Sequence, residues 1–459
     1  MGIALKKRQS GRSEIAAKLM QFGRAAIERR IVRDGAWVAG GQIMSAVAAL
    51  VSIRIMTELL SPDEFGQLTL LVGAAALALG IAANPRLQAV VRYYPEAARA
   101  GRIDILRATA VRLIAPLVAL VAMILVLGWL AWGAWFGGAW FTGLLVAALL
   151  VVDCLRSLEL SLLNAARRQR EASLIYAADA WSRPLLAIAV IFAVGSSTDA
   201  ALAGYIAGSA AVVLGMRLWL RLEGAVDSDA DMRVEGELAS SIRHYAWPLA
   251  PLAVFGWLSG MGDRYVIAGL LSLHDAGLYA AACGLASRPF LMLGGIVELT
   301  MRPVLQNTVT AGDATLIARA KMTWLLVMVT GAAFGVVCFV LLSEWVGRLL
   351  LAEEYRSAIA LMPWIALGYA LYNIATVYTR FCYAFDDTKA VSLIVVCGTL
   401  LGVAVMVPAI YFWELPGAGY SVPVGFCAQL LLAFVLASRA ETNFVRRAPS
   451  AGGLHHREA

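Results

Sequence analysis

Charge is scarce in this chain. Only 15% of its 459 residues are Asp, Glu, Lys or Arg, against 61% hydrophobic, whereas a soluble domain carries charge at about a quarter of its positions. That shortage excludes a soluble globular protein of this size. Histidine is scarcer still: the four copies stand at 244, 274, 455 and 456, none in the middle of an apolar run, which gives no support to a histidine proton relay or a zinc site. The six cysteines (Cys154, Cys283, Cys338, Cys382, Cys397, Cys427) lie singly in or at the ends of apolar segments. Without a CxxC pair or a metal spacing they read as small buried apolar residues. No GxxxxGK[ST] phosphate loop occurs, and no polar stretch is long enough for a soluble catalytic or nucleotide-binding domain. The chain is therefore not expected to hydrolyse ATP, to catalyse a reaction or to hold a cofactor, and its chemistry lies within the membrane.

What the chain has in quantity is long apolar runs. Each crossing of the hydrocarbon needs about 20 apolar residues, and the runs predict about twelve transmembrane helices, near 35 to 57, 66 to 90, 107 to 130, 139 to 164, 172 to 194, 199 to 221, 244 to 270, 277 to 301, 318 to 342, 357 to 383, 388 to 412 and 417 to 438. Loop charge then orients them. Loops with Arg92, Arg99, Arg102 and Arg107, with Arg167, Arg168 and Arg170, with Arg221, Arg233 and Arg243, and with Arg302, Arg319 and Lys321 alternate with loops holding Glu58, Asp63 and Glu64, Asp199, Asp275 and Glu414. The positive-inside rule puts both termini in the cytoplasm. The net charge of +7 follows from those loops and requires no nucleic acid. Before the first span, residues 1 to 34 are basic and lack the apolar core of a cleavable signal peptide; Ile15, Leu19, Phe22 and Ala26 share a helical face suited to an anionic membrane surface. Residues 222 to 243 read as a cytoplasmic linker between halves, and 439 to 459 as a cytoplasmic tail. Trp129, Trp132, Trp135 and Trp140 form an expected interfacial belt.

The two halves echo each other. RIMTELLSPDEFG at 54 to 66 returns as RYVIAGLLSLHDAG at 264 to 277, Arg92 and Gly101 are matched by Arg302 and Gly312, and Ala203-Gly204-Tyr205 by Ala418-Gly419-Tyr420. The order and near-constant offset point to an internal duplication of about 210 residues, with lobes at 35 to 221 and 244 to 438.

Ionisable groups inside spans are costly, so each needs a reason. The fourth span carries Asp153, Arg156 and Glu159 on nearly one face, the fifth Asp179 and Arg183, the seventh Asp263 and Arg264, and the eighth Arg288, Glu298 and Arg302. Arg54 and Arg86 stand near span ends, where a long side chain reaches the interface. Asp179 with Arg183 is readable as a self-neutralising pair that only orders the bundle. Arginine forks nevertheless bind phosphate oxygens in pairs, and an arginine-rich cavity suits an anionic substrate. Arg288, Arg156, Arg183, Arg264 and Arg54 are the candidate substrate-binding cations, with Asp179, Asp153 and Asp263 in support. Arg288 stands out: no acid lies within a helical turn on its own helix, and the duplicated helix has Leu77 or Ala78 in its place. Its bland reading is a salt bridge to Asp179 or Asp153.

The Ser61 to Gly66 turn, its echo at Leu271 to Gly277, and twelve spans with short loops resemble the polysaccharide-exporter branch of the multidrug/oligosaccharidyl-lipid/polysaccharide (MOP) flippases, over residues 30 to 440. The resemblance implies an all-α polytopic membrane protein of two six-helix lobes around a central cavity. It also implies alternating access that carries an undecaprenyl-pyrophosphate-linked oligosaccharide across a bacterial inner membrane, for lipopolysaccharide, capsule or exopolysaccharide assembly. Expected partners are that lipid-linked oligosaccharide, membrane lipids and a coupling ion, proton or sodium. Cation-coupled multidrug efflux is the nearest alternative; a membrane-embedded polymerase is a further one, though no large outer loop exists for its active site.

Overall fold

The computed structural model describes residues 35–136, 140–220 and 232–447, and they are helical almost throughout. The first helix is α1 (Gly35–Leu59). It is followed by α2 (Pro62–Ala82), α3 (Asn84–Arg99), α4 (Ile103–Phe136), α5 (Trp140–Ala165), α6 (Gln169–Val194) and α7 (Thr198–Leu220). The second half comprises α8 (Met232–Ala246), α9 (Ala250–Leu270), α10 (Leu273–Ala311), α11 (Ala314–Leu350), α12 (Met362–Ala384) and α13 (Thr388–Arg447). The basic segment 1 to 34, the tail beyond 447 and the side chains of Trp132, Trp135 and Trp140 lie outside the described residues.

Ten of these helices are long and apolar enough to cross a bilayer. α13 bends at Glu414 (φ 51°, ψ −137°) and so makes two passes. α9, diluted by Asp263, Arg264 and its glycines, makes one more. The chain is a multi-pass membrane protein whose described spans are helical.

Three boundaries differ from those read in the sequence. The second span stops at Ala82, because Asn84-Pro85 starts a new helix where proline's missing N–H is harmless. The expected linker is helical from Met232, and α8 folds back on the first lobe: Ile242 is fully buried, Arg112 Nη1 lies 2.5 Å from Glu235 Oε1, and Tyr245 meets Tyr93 edge to face. The seventh span accordingly begins near 250 rather than 244. The eleventh and twelfth spans are joined by a single left-handed residue, Glu414, instead of a loop.

The repeated turn positions the lobes. Ser61 Oγ accepts from the Glu64 amide while Glu64 Oε2 accepts from the Ser61 amide at 2.9 Å, a reciprocal cap that starts α2. Ser272 caps α10 in the same way, accepting from the Asp275 amide at 3.1 Å. The two capped ends cross face to face. A Cβ added to Gly66 would stand 2.1 Å from the Leu273 carbonyl oxygen, and one added to Gly277 would stand 1.9 Å from that of Pro62. Contacts of 66 with 273 and of 277 with 62 are reciprocal, as a two-fold relation between halves requires. Gly101 and Gly312, matched in the sequence, both take φ +69° after the C-terminal ends of α3 and α10.

At the Ser61/Ser272 end the lobes share one core. Met56, Leu60, Phe65 and Leu68 pack with Tyr279, Ala282, Tyr355 and Ile359. Tyr355 Oη donates to the Leu60 carbonyl at 2.8 Å, the Ala352 amide donates to Thr57 Oγ1 at 3.3 Å, and His274 Nδ1 lies 3.2 Å from Asp63 Oδ2. At the Gly101/Gly312 end each buried cluster belongs to one lobe only: Leu87, Val90, Leu106 and Ile242 in the first, Leu305, Ile317, Trp324 and Phe381 in the second. The lobes therefore share a core at one end and keep separate clusters at the other, while α2 and α9 stay in contact from Leu70–Tyr265 to Gly80–Ala253. Glycine in α7 lets it pack closely on α6: a Cβ on Gly204 would sit 2.2 Å from the Ala187 Cα.

Candidate functional site

A second inter-lobe contact runs between α1 and α10. Ile53 Cδ1 of α1 lies where a Cβ on Gly284 would be, at 2.7 Å, so Gly277 and Gly284 mark the face of α10 that meets the first lobe. Continuing that face by eleven and fourteen residues from Gly277 reaches Arg288 and Leu291. Both are exposed, as are Gln42, Ile43 and Val47 on the N-terminal half of α1. Arg288 thus lies farther along the α10 face that meets the first lobe, beyond the Gly284 contact with Ile53. Among the described residues it has no ion-pair or hydrogen-bond partner. Pro289 follows it, and buried Asn373 of α12 donates to the Phe290 carbonyl at 2.7 Å, bracing α10 beside the arginine.

The acids proposed as alternative partners for Arg288 are occupied elsewhere. Asp153, Arg156, Asp179 and Arg183 form one closed ion network between α5 and α6. Arg156 reaches Asp153 Oδ1 at 3.1 Å and Asp179 Oδ2 at 3.3 Å, and Arg183 pairs with Asp153 and approaches Asp179 Oδ2 at 3.1 Å, off the hydrogen-bond direction. Ser209 Oγ of α7 donates to Asp179 Oδ1 at 2.9 Å. Two cations and two anions cancel, and all four side chains are 11 to 17% exposed. Here the self-neutralising reading describes the geometry, extended from a pair to a quartet. Asp153→Asn strips the quartet of half its negative charge, and removing one member of a buried pair costs about 3–5 kcal/mol. The purified variant is expected to melt well below the parent, with part of the loss recovered in Asp153→Asn/Arg183→Met. An unchanged melting temperature would contradict the burial argument.

The remaining predicted residues are dispersed. Arg264 is buried within the second lobe, its Nη1 2.9 Å from Asp263 Oδ1 and 3.2 Å from the Gly260 carbonyl. Asp263 also lines a small, mainly apolar cavity of about 80 Å³, where Ser259, Tyr369, Thr399, Ser421 and Gln429 are among its polar neighbours. Arg54 pairs with Glu58 at 2.6 Å on a half-exposed surface, an arrangement worth about 0–1 kcal/mol. Glu159 does not join Arg156, its neighbour on the helix; it pairs with Arg107 of α4. Glu298 takes Arg380 of α12 at 2.9 Å in preference to Arg302 at 4.0 Å. Those cross-helix partners are 52 and 82 residues away in the chain, beyond the reach of helical spacing. No group of three or more His, Cys, Asp or Glu able to hold a metal ion occurs among the described residues.

Arg156 also lines a second feature, an open groove of about 770 Å³ bordered by α3, α5, α6 and α8. Its other arginine is Arg92, which in the sequence served only as a loop charge for orientation. The signal was present: Asn84, Gln88 and Arg92 recur every four residues and give α3 a polar stripe.

The fold is the one seen in solved membrane proteins of the MOP superfamily. Among solved structures, the chain is similar to an inward-facing multidrug resistance MATE family transporter of that superfamily, with a TM-score of 0.72 at 12% identity over 89% of this chain and 96% of that one. It is likewise similar to the lipid II flippase MurJ in an inward closed conformation (TM-score 0.69, 12% identity, 88% and 89% covered). An outward-facing MATE transporter of the superfamily superposes less well (TM-score 0.63, 13% identity, 91% and 97% covered). No sequence family model and no curated protein matches the chain.

Proposed function

We propose that this protein flips an undecaprenyl-pyrophosphate-linked oligosaccharide from the cytoplasmic to the outer leaflet of a bacterial inner membrane by alternating access. The observation that carries the reading is the balance of charge between the lobes. The five acids set deep in the spans, Asp153, Glu159, Asp179, Asp263 and Glu298, each lie against an arginine. Arg288, exposed on the α10 face that meets the first lobe, lies against none. An inter-lobe surface with an unanswered cation attracts a phosphate and repels the cationic substrates typical of drug efflux. Supporting the reading, the fold is shared with a lipid II flippase and the lobes keep separate clusters at the end where loop arginines accumulate. Efflux, the rival, requires a carboxylate free to bind a cation.

Deleting the gene and assaying lipid-linked oligosaccharide in each leaflet tests the function: accumulation in the inner leaflet is expected, and an unchanged distribution with increased drug sensitivity would replace it with efflux. Orientation is tested separately. Cysteines introduced as Asp63→Cys and Asp275→Cys are expected to react with a membrane-impermeant maleimide added outside intact spheroplasts, while Arg168→Cys reacts only after permeabilisation. The opposite pattern would reverse the transport direction.

A further inference from the structure

The capped ends of α2 and α10 carry one contact that the shared apolar core does not account for. Asp63 and His274 stand at the same place in the two helices, the second residue after the capping serine, and His274 Nδ1 lies 3.2 Å from Asp63 Oδ2 across the lobes. Their separation of 211 residues in the chain is also that of Ser61 from Ser272 and of Gly66 from Gly277. Equivalent residues of the two halves therefore face each other here, on the local two-fold axis. An unaltered duplication would set like against like at such a place, aspartate against aspartate. The chain instead sets an anion against histidine, the side chain whose charge ordinarily changes between about pH 5 and 8.

We infer that His274 and Asp63 form a proton-sensitive latch between the lobes, which holds the Ser61/Ser272 end together while the imidazole is protonated and loosens when it is neutral. The other charged groups at this end are acids or are already engaged. On α2, Glu64 accepts from the Ser61 amide; on α10, Asp275 accepts from Ser272 Oγ at 2.5 Å; on α7, Asp199 accepts from Thr142 Oγ1. Arg54, Arg348 and Arg356 pair with Glu58, Glu344 and Glu353, each three or four residues away on its own segment. Glu354 is a further acid, lying with Asp63 and Glu64 near Tyr355. Among the described residues no lysine or arginine pairs with Asp63, so His274 is its partner from the other lobe. An imidazolium gains a charge-assisted contact to Asp63 that a neutral ring lacks. When the ends part, it loses that contact and is left in the first turn of α10, where the helix dipole disfavours a cation. The two side chains are 48% and 61% exposed. Buffer protons therefore reach them directly, and the screened pair shifts the balance between joined and parted ends by about two- to fivefold rather than by orders of magnitude.

That the latch faces the outer aqueous phase rests on the orientation proposed above; the latch itself does not. The test uses full-length protein in phosphatidylcholine nanodiscs, which expose both faces to the buffer. A reporter Ala358→Cys, buried in the shared core, is modified with a hydrophilic maleimide at about pH 5.5 and about pH 8, and labelling at position 358 is followed by peptide mass. Each rate is divided by that of the same reporter in His274→Gln, which cancels the thiol's own pH dependence. The parent is expected to label about two- to fivefold more slowly than His274→Gln in acid, and at the same rate in alkali. Asp63→Asn should label like His274→Gln at both pH values. His274→Lys, a cation at both, should keep the reporter protected in alkali as well. A parent-to-variant ratio that stays constant between the two pH values, or slower labelling in acid that survives Asp63→Asn, overturns the latch. Neither outcome bears on cargo or direction, which the leaflet and spheroplast experiments decide separately.

Discussion

Arg288→Ala is expected to abolish export of lipid-linked oligosaccharide while the protein accumulates to normal levels. An arginine near the middle of a span costs on the order of 3 kcal/mol to insert, so its removal eases folding and the loss of function cannot be ascribed to misfolding. The side chain has no partner among the described residues, so alanine also leaves no orphaned acid behind it. On the proposed function, what disappears is a charge-assisted contact to the substrate phosphate, worth about 1.5–3 kcal/mol for one hydrogen bond and more for a forked pair. That corresponds to a loss of one to two orders of magnitude in transport at limiting substrate. Arg288→Lys keeps the charge and loses the fork, and it should retain an intermediate rate. Both are read in the deletion strain, complemented at matched protein levels, by the amount of polysaccharide at the cell surface. Full export by Arg288→Ala would remove the residue from the mechanism.

Gly277→Leu is expected to hold the lobes apart at the end where they now meet. Even the first carbon of the new side chain would stand 1.9 Å from the Pro62 carbonyl oxygen. The obstacle is backbone at a capped helix start, which cannot rotate away as a side chain could. α2 and α10 must separate by more than about 1 Å, opening the shared core of Phe65, Tyr279 and Tyr355, and overpacking of this kind costs about 1–3 kcal/mol. A penalty of about 2 kcal/mol confined to the closed state shifts its population about 30-fold relative to a state in which those ends are parted. Export should fall sharply. A reporter cysteine at Ala282, buried in the shared core, should pass from protected to reactive with a hydrophilic maleimide. Continued protection of Ala282→Cys with full export would show that the glycine contact does not govern closure. Gly66→Leu should behave alike, because the contact is reciprocal.

The physical signals that survived into three dimensions are those confined to one helix. Apolar run length identified the crossings, Ser61 and Ser272 declared where α2 and α10 begin, and the paired glycines at 101 and 312 sit in the same left-handed turn. The misplaced boundaries have local causes that outweigh hydropathy: Pro85 restarts a helix inside an apolar run, and Glu414 reverses the chain in one residue. The candidate site was only partly legible. Arg288 could be singled out because nothing on its own helix answers it. Arg156 and Arg183 looked equally available, yet each is held by both Asp153 and Asp179.

By itself, then, the sequence determined that this is a membrane protein of twelve helical crossings in two related halves, because the bilayer forces every backbone group to be satisfied within its own helix and so makes each span readable alone. Only the tertiary structure decided which charges are free. Ion pairs at depth form between whichever side chains the packing brings within about 3 Å, and Arg107 with Glu159, Arg380 with Glu298, and within the quartet Arg156 with Asp179 and Arg183 with Asp153, join residues that no helical period connects.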